Sequence, residues 1–352
     1  MSKLHRPFHA SVAALLWLAS GLFFTQAQAQ PIAWVDVHFH FIAESAGGAE
    51  QLANQGLELM NQERIRRLVV LPPPQSKTGA LDGSQLVEVL KKHGDRFAVV
   101  AGGATLNPIL HNYSKQTQVP EATLKEFREQ ALRIADSGVV GFGEIALHHL
   151  SLNIKHDYES VPADHPMLLV LADVAAERDL VMDLHFDPVL TLTPVPAELK
   201  EFNNPDIFQP NIEAFERLLQ HNRKAKIVWA HAGGLDFIGQ YTPMLVRDML
   251  SRHSNLFLSI RPMARTPGVM VTPSGEVNPE WVQIVQEYSD RFVFGSDSFL
   301  VDPSAKSGSA ARLFAERSKA QRMGIRRVLM ALPRELARKV GFENAERLYR
   351  LK

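Results

Sequence analysis

Apolar residues fall along the chain in eight short, nearly unbroken runs rich in Val, Ile and Phe. They are IAWVDVHFH (32–40), RRLVVLP (66–72), RFAVVAGGA (96–104), VVGFGEIAL (139–147), LVMDLHFD (180–187), KIVWAHAGG (226–234), NLFLSIRP (255–262) and RFVFGSDSF (291–299). Continuous rather than alternating apolar character is what strands covered on both faces require. Between the runs, polar and apolar residues alternate at helical spacing. EATLKEFREQALRIADSG (121–138) places Gly138 where a C-terminal cap belongs, and 165–179 and 211–224 repeat the pattern. Eight strand–helix units predict an α/β fold, a single (β/α)8 barrel over residues 30–352. No sequence repeat of fixed period accompanies the count.

The connections are unequal. Helix-to-strand links read as short, as in ERDLVMDL (177–184), whereas three strand-to-helix links are long: 148–164, 188–210 and 263–279. All three would lie at the C-terminal face of the barrel, where such folds carry their active sites.

Residues 1–29 follow a different rule. A basic start with Lys3 and Arg6, a 14-residue apolar run (11–24) and small residues at Ala27 and Ala29 form the layout of a secretory signal, cut after Ala29. The run is short of the roughly 20 residues that a membrane span needs, so the expected location is periplasmic or secreted, with no lasting membrane insertion. The chain has 38 basic and 38 acidic side chains; cleavage would leave 36 and 38, a net charge of −2. No global field points to nucleic acid. Residues 310–352 hold twelve Lys or Arg against four Glu, read as solvated faces of helices packed outside the barrel. There is no cysteine, so disulfides and thiolate ligands are excluded and any metal must be held by His, Asp or Glu.

Polar groups interrupt the apolar runs at His38 and His40, Glu144, His185, His231 and Asp297, each toward the C-terminal end of its run. An isolated buried His or carboxylate costs several kcal/mol unless it is paired or metal-bound. Taken singly, a histidine at a strand end reads as a hydrogen-bonded core residue and Asp297 as a helix cap; five strand ends so occupied read differently. Residues i and i+2 of a strand share a face, so His38 and His40 point together into the barrel mouth while Phe39 packs outward. Neutral imidazoles with carboxylates opposite suit a borderline divalent cation such as zinc, with manganese or iron as alternatives.

The motifs VDVHFH, GEIAL, DLHFD, VWAHAGG and FGSDSF, in this order, resemble those of the amidohydrolase superfamily. Within it, the resemblance is to the amidohydrolase-related group that contains aromatic-acid decarboxylases and lactone hydrolases. It extends to LPRELARKVGFENAERLYRL (332–351), which is similar to the family's closing helix, and so covers about residues 32–352. It implies that His38, His40 and His185 are metal ligands, that His231 is a ligand or a hydrogen-bond donor to substrate, and that Asp297 contacts the metal and its water. Many relatives carry a carboxylated lysine on strand 4 as a bridge between two metals. Glu144 stands there instead, as in TatD-type deoxyribonucleases, so one or two ions are implied, two giving both Glu144 and His231 a part. A bound divalent cation moves the pKa of water toward 7. Asp297 is then expected to take its proton and pass it to the leaving group, with His231 steadying the oxyanion. Asp36 and Asp183, each two residues from a ligand, are candidates for fixing ligand tautomers, or for pairing with backbone at the rim.

For the substrate, Arg261 at the end of strand 7 could pair with a carboxylate or phosphate, or with a loop acid. His148 and His149 are lid contacts or exposed residues, and Asp187 starts a turn before Pro188. The leading expectation is an exported metal-dependent hydrolase acting on an ester, lactone or amide of a small molecule. Metal-dependent decarboxylation of an aromatic acid is the nearest alternative. Phosphodiester cleavage is opposed by 24 basic against 34 acidic groups outside the signal and the C-terminal stretch. A non-catalytic metal- or solute-binding protein predicts a missing ligand or base, and none is missing.

Overall fold

The computed structural model describes residues 32–351 except 75–79, 154–155, 235–236, 263–268, 303 and 305–310. The signal segment 1–29 lies outside the described residues, as does part of the 263–279 connection. Eight parallel strands close on themselves: β1 Trp34–Ile42, β2 Ile65–Leu71, β3 Phe97–Gly102, β4 Gly141–His149, β5 Val181–Phe186, β6 Lys226–Ala232, β7 Leu256–Ile260 and β8 Phe292–Phe294, the last resuming as Ser298–Val301. Each strand pairs with its sequence neighbours, and both parts of β8 pair with β1 to complete the cylinder. All eight predicted strands are present, and the expected (β/α)8 barrel is the fold.

The helices start where the chain supplies caps. Ser45 accepts from the Gly48 amide at the head of Ala46–Glu63, and Thr242 accepts from Leu245 N ahead of Pro243–Arg252. Proline in the first helical turn gives up only an amide that has no partner there. The helix predicted at 121–138 ends earlier, at Ala135, and Gly138 adopts φ 93° in the turn beyond it. The long connection after β5 is not structureless: it folds a small antiparallel pair, Thr193–Pro194 with Ile207–Phe208. Among the described residues, no helix is long and apolar enough to cross a membrane.

Two layers of apolar packing sandwich the strands. An outer one joins Trp34, Phe39 and Phe41 to the surrounding helices. An inner one gathers Val35, Val37, Val69, Val100, Val181, Val228 and Val293 from around the cylinder, with Ala345, Leu348 and Tyr349 of the closing helix. Asn344 fastens that helix to the start of β8, donating to Ser289 O at 2.7 Å and Phe292 O at 2.8 Å. The N-terminal end of the barrel is therefore plugged by apolar groups, which leaves the C-terminal end for chemistry.

The fate of β1 shows how. Val37 faces in and Phe39 faces out, and the β1–β2 register shifts between Asp36 and Phe39. Such an irregularity re-aims side chains, and here it brings His38 and His40 to the inside. Space opposite is tight: a Cβ on Gly295 would lie 2.7 Å from His38 Cβ. Gly295→Ala is expected to destabilise the protein by about 1–3 kcal/mol, the usual cost of overpacking. An unchanged urea midpoint would show that the close approach is not a constraint.

Candidate metal centre

The carboxylate of Glu144, from β4, lies among four imidazoles. Oε1 is 2.7 Å from His185 Nδ1 and 3.0 Å from His231 Nε2. Oε2 is 3.4 Å from His40 Nε2 and 3.5 Å from His38 Nε2. Asp297 joins through Oδ1, 3.2 Å from His40 Nε2. All six predicted ligand residues thus converge at the C-terminal end of the barrel, and all are buried. Five of them form two overlapping triads, His38–Glu144–His231 and His38–His40–Asp297, with the ligand atoms of each within 4.8 Å of one another, and His185 joins neither but contacts Glu144.

Backbone geometry aims two of these groups. His231 (φ 72°) and Asp297 (φ 52°) occupy the left-handed region, which non-glycine residues enter at a cost and typically where function demands it. Asp297 sits in the interruption of β8, where its amide donates to His38 O at 2.9 Å. Gly143 is required because a Cβ there would meet the Asp183 carbonyl at 2.9 Å.

Charge decides what the site can hold. Glu144, Asp183, Asp187 and Asp297 all touch the cluster; Asp183 reaches His38 Nδ1 at 3.1 Å and Asp187 reaches His185 Nε2 at 3.5 Å. Against these four carboxylates stand two guanidiniums: Arg261 Nη1 and Arg317 Nη2 each lie 2.5 Å from Asp297 Oδ2. With neutral imidazoles, two negative charges are left over. Burial alone would raise Glu144, but His38, His185 and His231 hold its carboxyl well below the usual range. Burial likewise opposes ionisation of Asp297, and Arg317, Arg261 and His40 overcome it. Burial lowers His185, yet Asp187 and Glu144 outweigh it and push the ring up to about 9. His231 is held well below its ordinary value by burial and by Arg261. Burial lowers His38 too, but Asp183 and Glu144 raise it well above its ordinary value, so protons on His38 and His185, or a cation in their place, balance the acids. His38 Nε2, both nitrogens of His40 and His231 Nδ1 are buried without a hydrogen-bond partner. Lone pairs and acids, with two ring protons for a cation to displace, fit a divalent cation of zinc type.

The supporting residues divide differently from expectation. Asp183 orients His38 across the barrel rather than His185 on its own strand. Asp36 touches no ligand ring: it accepts from Ser296 N at 2.8 Å and Ser296 Oγ at 2.5 Å, tying β1 to β8. Asp187 does more than start a turn, since it reaches His185 and accepts from Leu150 N at 3.3 Å. Arg261 pairs with Asp297 rather than with a loop acid. His148, expected to meet a substrate, turns both ring nitrogens to protein partners: Nδ1 lies 2.7 Å from Asp187 O and Nε2 2.9 Å from the Tyr158 hydroxyl. It is scaffold because no nitrogen is left over.

Arg317 escaped the sequence reading. It belongs to the basic C-terminal stretch, whose assignment to solvated helix faces fails here and at Arg322, which bonds Ser298 Oγ and Glu63. Nothing in helical periodicity marks an arginine at a helix's edge as facing a cleft. Asp183→Asn is expected to weaken metal binding about 10- to 100-fold, the usual effect of losing a group that orients a ligand. Chelator competition giving an unchanged affinity would remove Asp183 from the centre.

A sequence profile of the amidohydrolase family matches residues 35–351. Among solved structures the chain is similar to a mutant organophosphorus hydrolase, at 13% identity and TM-score 0.50, over 91% of this chain and 93% of that one. It is also similar to an amidohydrolase from Staphylococcus aureus, at 15% identity and TM-score 0.44, over 91% of this chain and 100% of that one. No curated protein matches it. The profile spans the whole barrel, from the HxH strand to the closing helix, and the chain belongs to the amidohydrolase family of metal-dependent hydrolases.

Proposed function

We propose that the protein is an exported hydrolase that cleaves an ester, lactone or amide bond of a small, anionic molecule. The observation that carries this reading is the Glu144 carboxylate set among His38, His40, His185 and His231, with Asp297 alongside. These six residues would hold one or two divalent cations, two giving both Glu144 and His231 a part, with zinc suited to the donor set. Bound there, such a cation supplies a Lewis acid that makes water acidic near neutral pH and draws charge from a carbonyl oxygen.

The protein's own groups do the rest. Asp297 orients the attacking water and takes its proton, then returns it to the leaving group. Two guanidiniums on Oδ2 keep that carboxylate a weak base. An anionic substrate group that draws Arg261 and Arg317 away would raise its basicity at the moment of attack. His231, held neutral beside Arg261, donates to the developing oxyanion where it is not itself a ligand. Export is supported by the basic, apolar and small-residue order of residues 1–29.

Decarboxylation of an aromatic acid is a second reading, favoured by one feature. Phe299 stacks on His40 at 4.4 Å and on Phe314 at 4.6 Å, with Arg317 over its ring at 5.5 Å. That wall would suit an aromatic carboxylate. Product analysis separates the two: hydrolysis consumes water and releases two fragments or an opened ring, and decarboxylation releases carbon dioxide.

Asp297→Asn should lower kcat at least about 10³-fold on any substrate found, within the range for losing a general acid–base. His38→Ala should lose both activity and metal, since both triads use His38; wild-type turnover in either variant contradicts the assignment. Arg317→Ala should raise KM for a carboxylated ester by about 10- to 100-fold, the worth of one charge-assisted hydrogen bond, and leave an uncharged analogue little changed. Equal effects on both esters would remove the anion from the proposed substrate.

A further inference from the structure

Beside the centre just described, His149, His156 and Glu159 form another convergence, their ligand atoms all within 4.8 Å of one another. His149 ends β4, and Glu159 stands directly opposite it in the two-residue antiparallel strand Glu159–Ser160. The register sets His149 Nδ1 3.0 Å from Glu159 Oε2. His156, from the turn of this hairpin, brings Nε2 to 3.2 Å from the same Nδ1. The turn is held from behind. Ser151 Oγ donates to His156 O at 2.5 Å, and the Asn204 amide accepts from Ser151 N and donates to Ser151 O, both at 2.9 Å.

The hydrogen bonds around these rings compete for protons. Leu152 N donates to His156 Nδ1 at 3.3 Å, which leaves the hydrogen of a neutral ring on Nε2, pointing at His149 Nδ1. If His149 Nδ1 donates to Glu159, two hydrogens face each other. If it accepts from His156, its lone pair faces an ionised carboxylate. His111 stands behind them, with Nε2 3.0 Å from Ala146 O and Nδ1 3.6 Å from Glu159 Oε1. A cation on His149 Nδ1, His156 Nε2 and Glu159 removes this competition once the 3.3 Å Leu152 contact gives way. Two imidazole nitrogens and one carboxylate oxygen, with a third imidazole behind, are a donor set for zinc or cobalt.

We propose that His149, His156 and Glu159 form an auxiliary transition-metal site that fastens His156 and the Glu159–Ser160 strand to the end of β4. The site shares no ligand with the main centre and stands whether or not the main centre's assignment holds. The His149 ring lies against that of His185, with centroids 4.0 Å apart, so the fastened hairpin walls the main centre.

Cobalt(II) titration of metal-stripped wild type, His156→Gln and Glu159→Gln, followed by absorption and elemental analysis, tests this. Each variant is expected to lose one equivalent, or to bind it more than about 100-fold more weakly, beyond the loss caused by removing an orienting group. Equal stoichiometry and affinity in all three proteins would overturn the site and leave a shared proton as the answer. Should either variant not fold, anomalous scattering from wild-type crystals grown with zinc decides. A peak among His149, His156 and Glu159 supports the proposal, and its absence there overturns it.

Discussion

Burying one carboxylate among four imidazoles is the constraint that organises the upper half of this barrel. Glu144 is buried, and an ionised carboxylate in that position costs several kcal/mol unless positive charge is close. The chain answers with His38, His40, His185 and His231 around the two oxygens. Further acids then bear on those rings, Asp183 on His38 and Asp187 on His185. The surplus of acids over arginines makes the cluster a candidate site for a cation.

The rest of the barrel makes that arrangement affordable. Apolar residues of both cores and the closing helix fill the cylinder and its N-terminal end, so stability does not rest on the polar end. Local departures from regular backbone serve the site: the register shift in β1, the interruption of β8 and the left-handed backbone at His231 and Asp297. Each lies where a strand leaves the ladder to aim a side chain inward. The Asp36–Ser296 contact closes the seam between β1 and β8 just below those departures.

Asp297 illustrates how one group meets two demands. Its Oδ1 faces His40 and its Oδ2 faces two guanidiniums, so the same carboxylate borders the candidate metal centre and the candidate anion pocket. Arg317 reaches it from a helix that packs beside β8, and Phe299 and Phe314 line the approach. Substrate selection and proton transfer would then be coupled through a single side chain.

The amino-acid sequence determined the strands, their parallel pairing, the barrel and the six polar residues at strand ends, because burial on both faces and the two-residue period of a strand leave a local record. It also carried the family resemblance, since those motifs are contiguous. Tertiary structure alone decided that Asp183 serves His38, that His148 is scaffold, that Arg317 reaches Asp297, and that His149, His156 and Glu159 meet across a hairpin. These are contacts between segments up to 145 residues apart, or across a turn whose register the pattern does not encode. A side chain's partner there is set by strand stagger and loop path, and neither leaves a periodic trace in the chain.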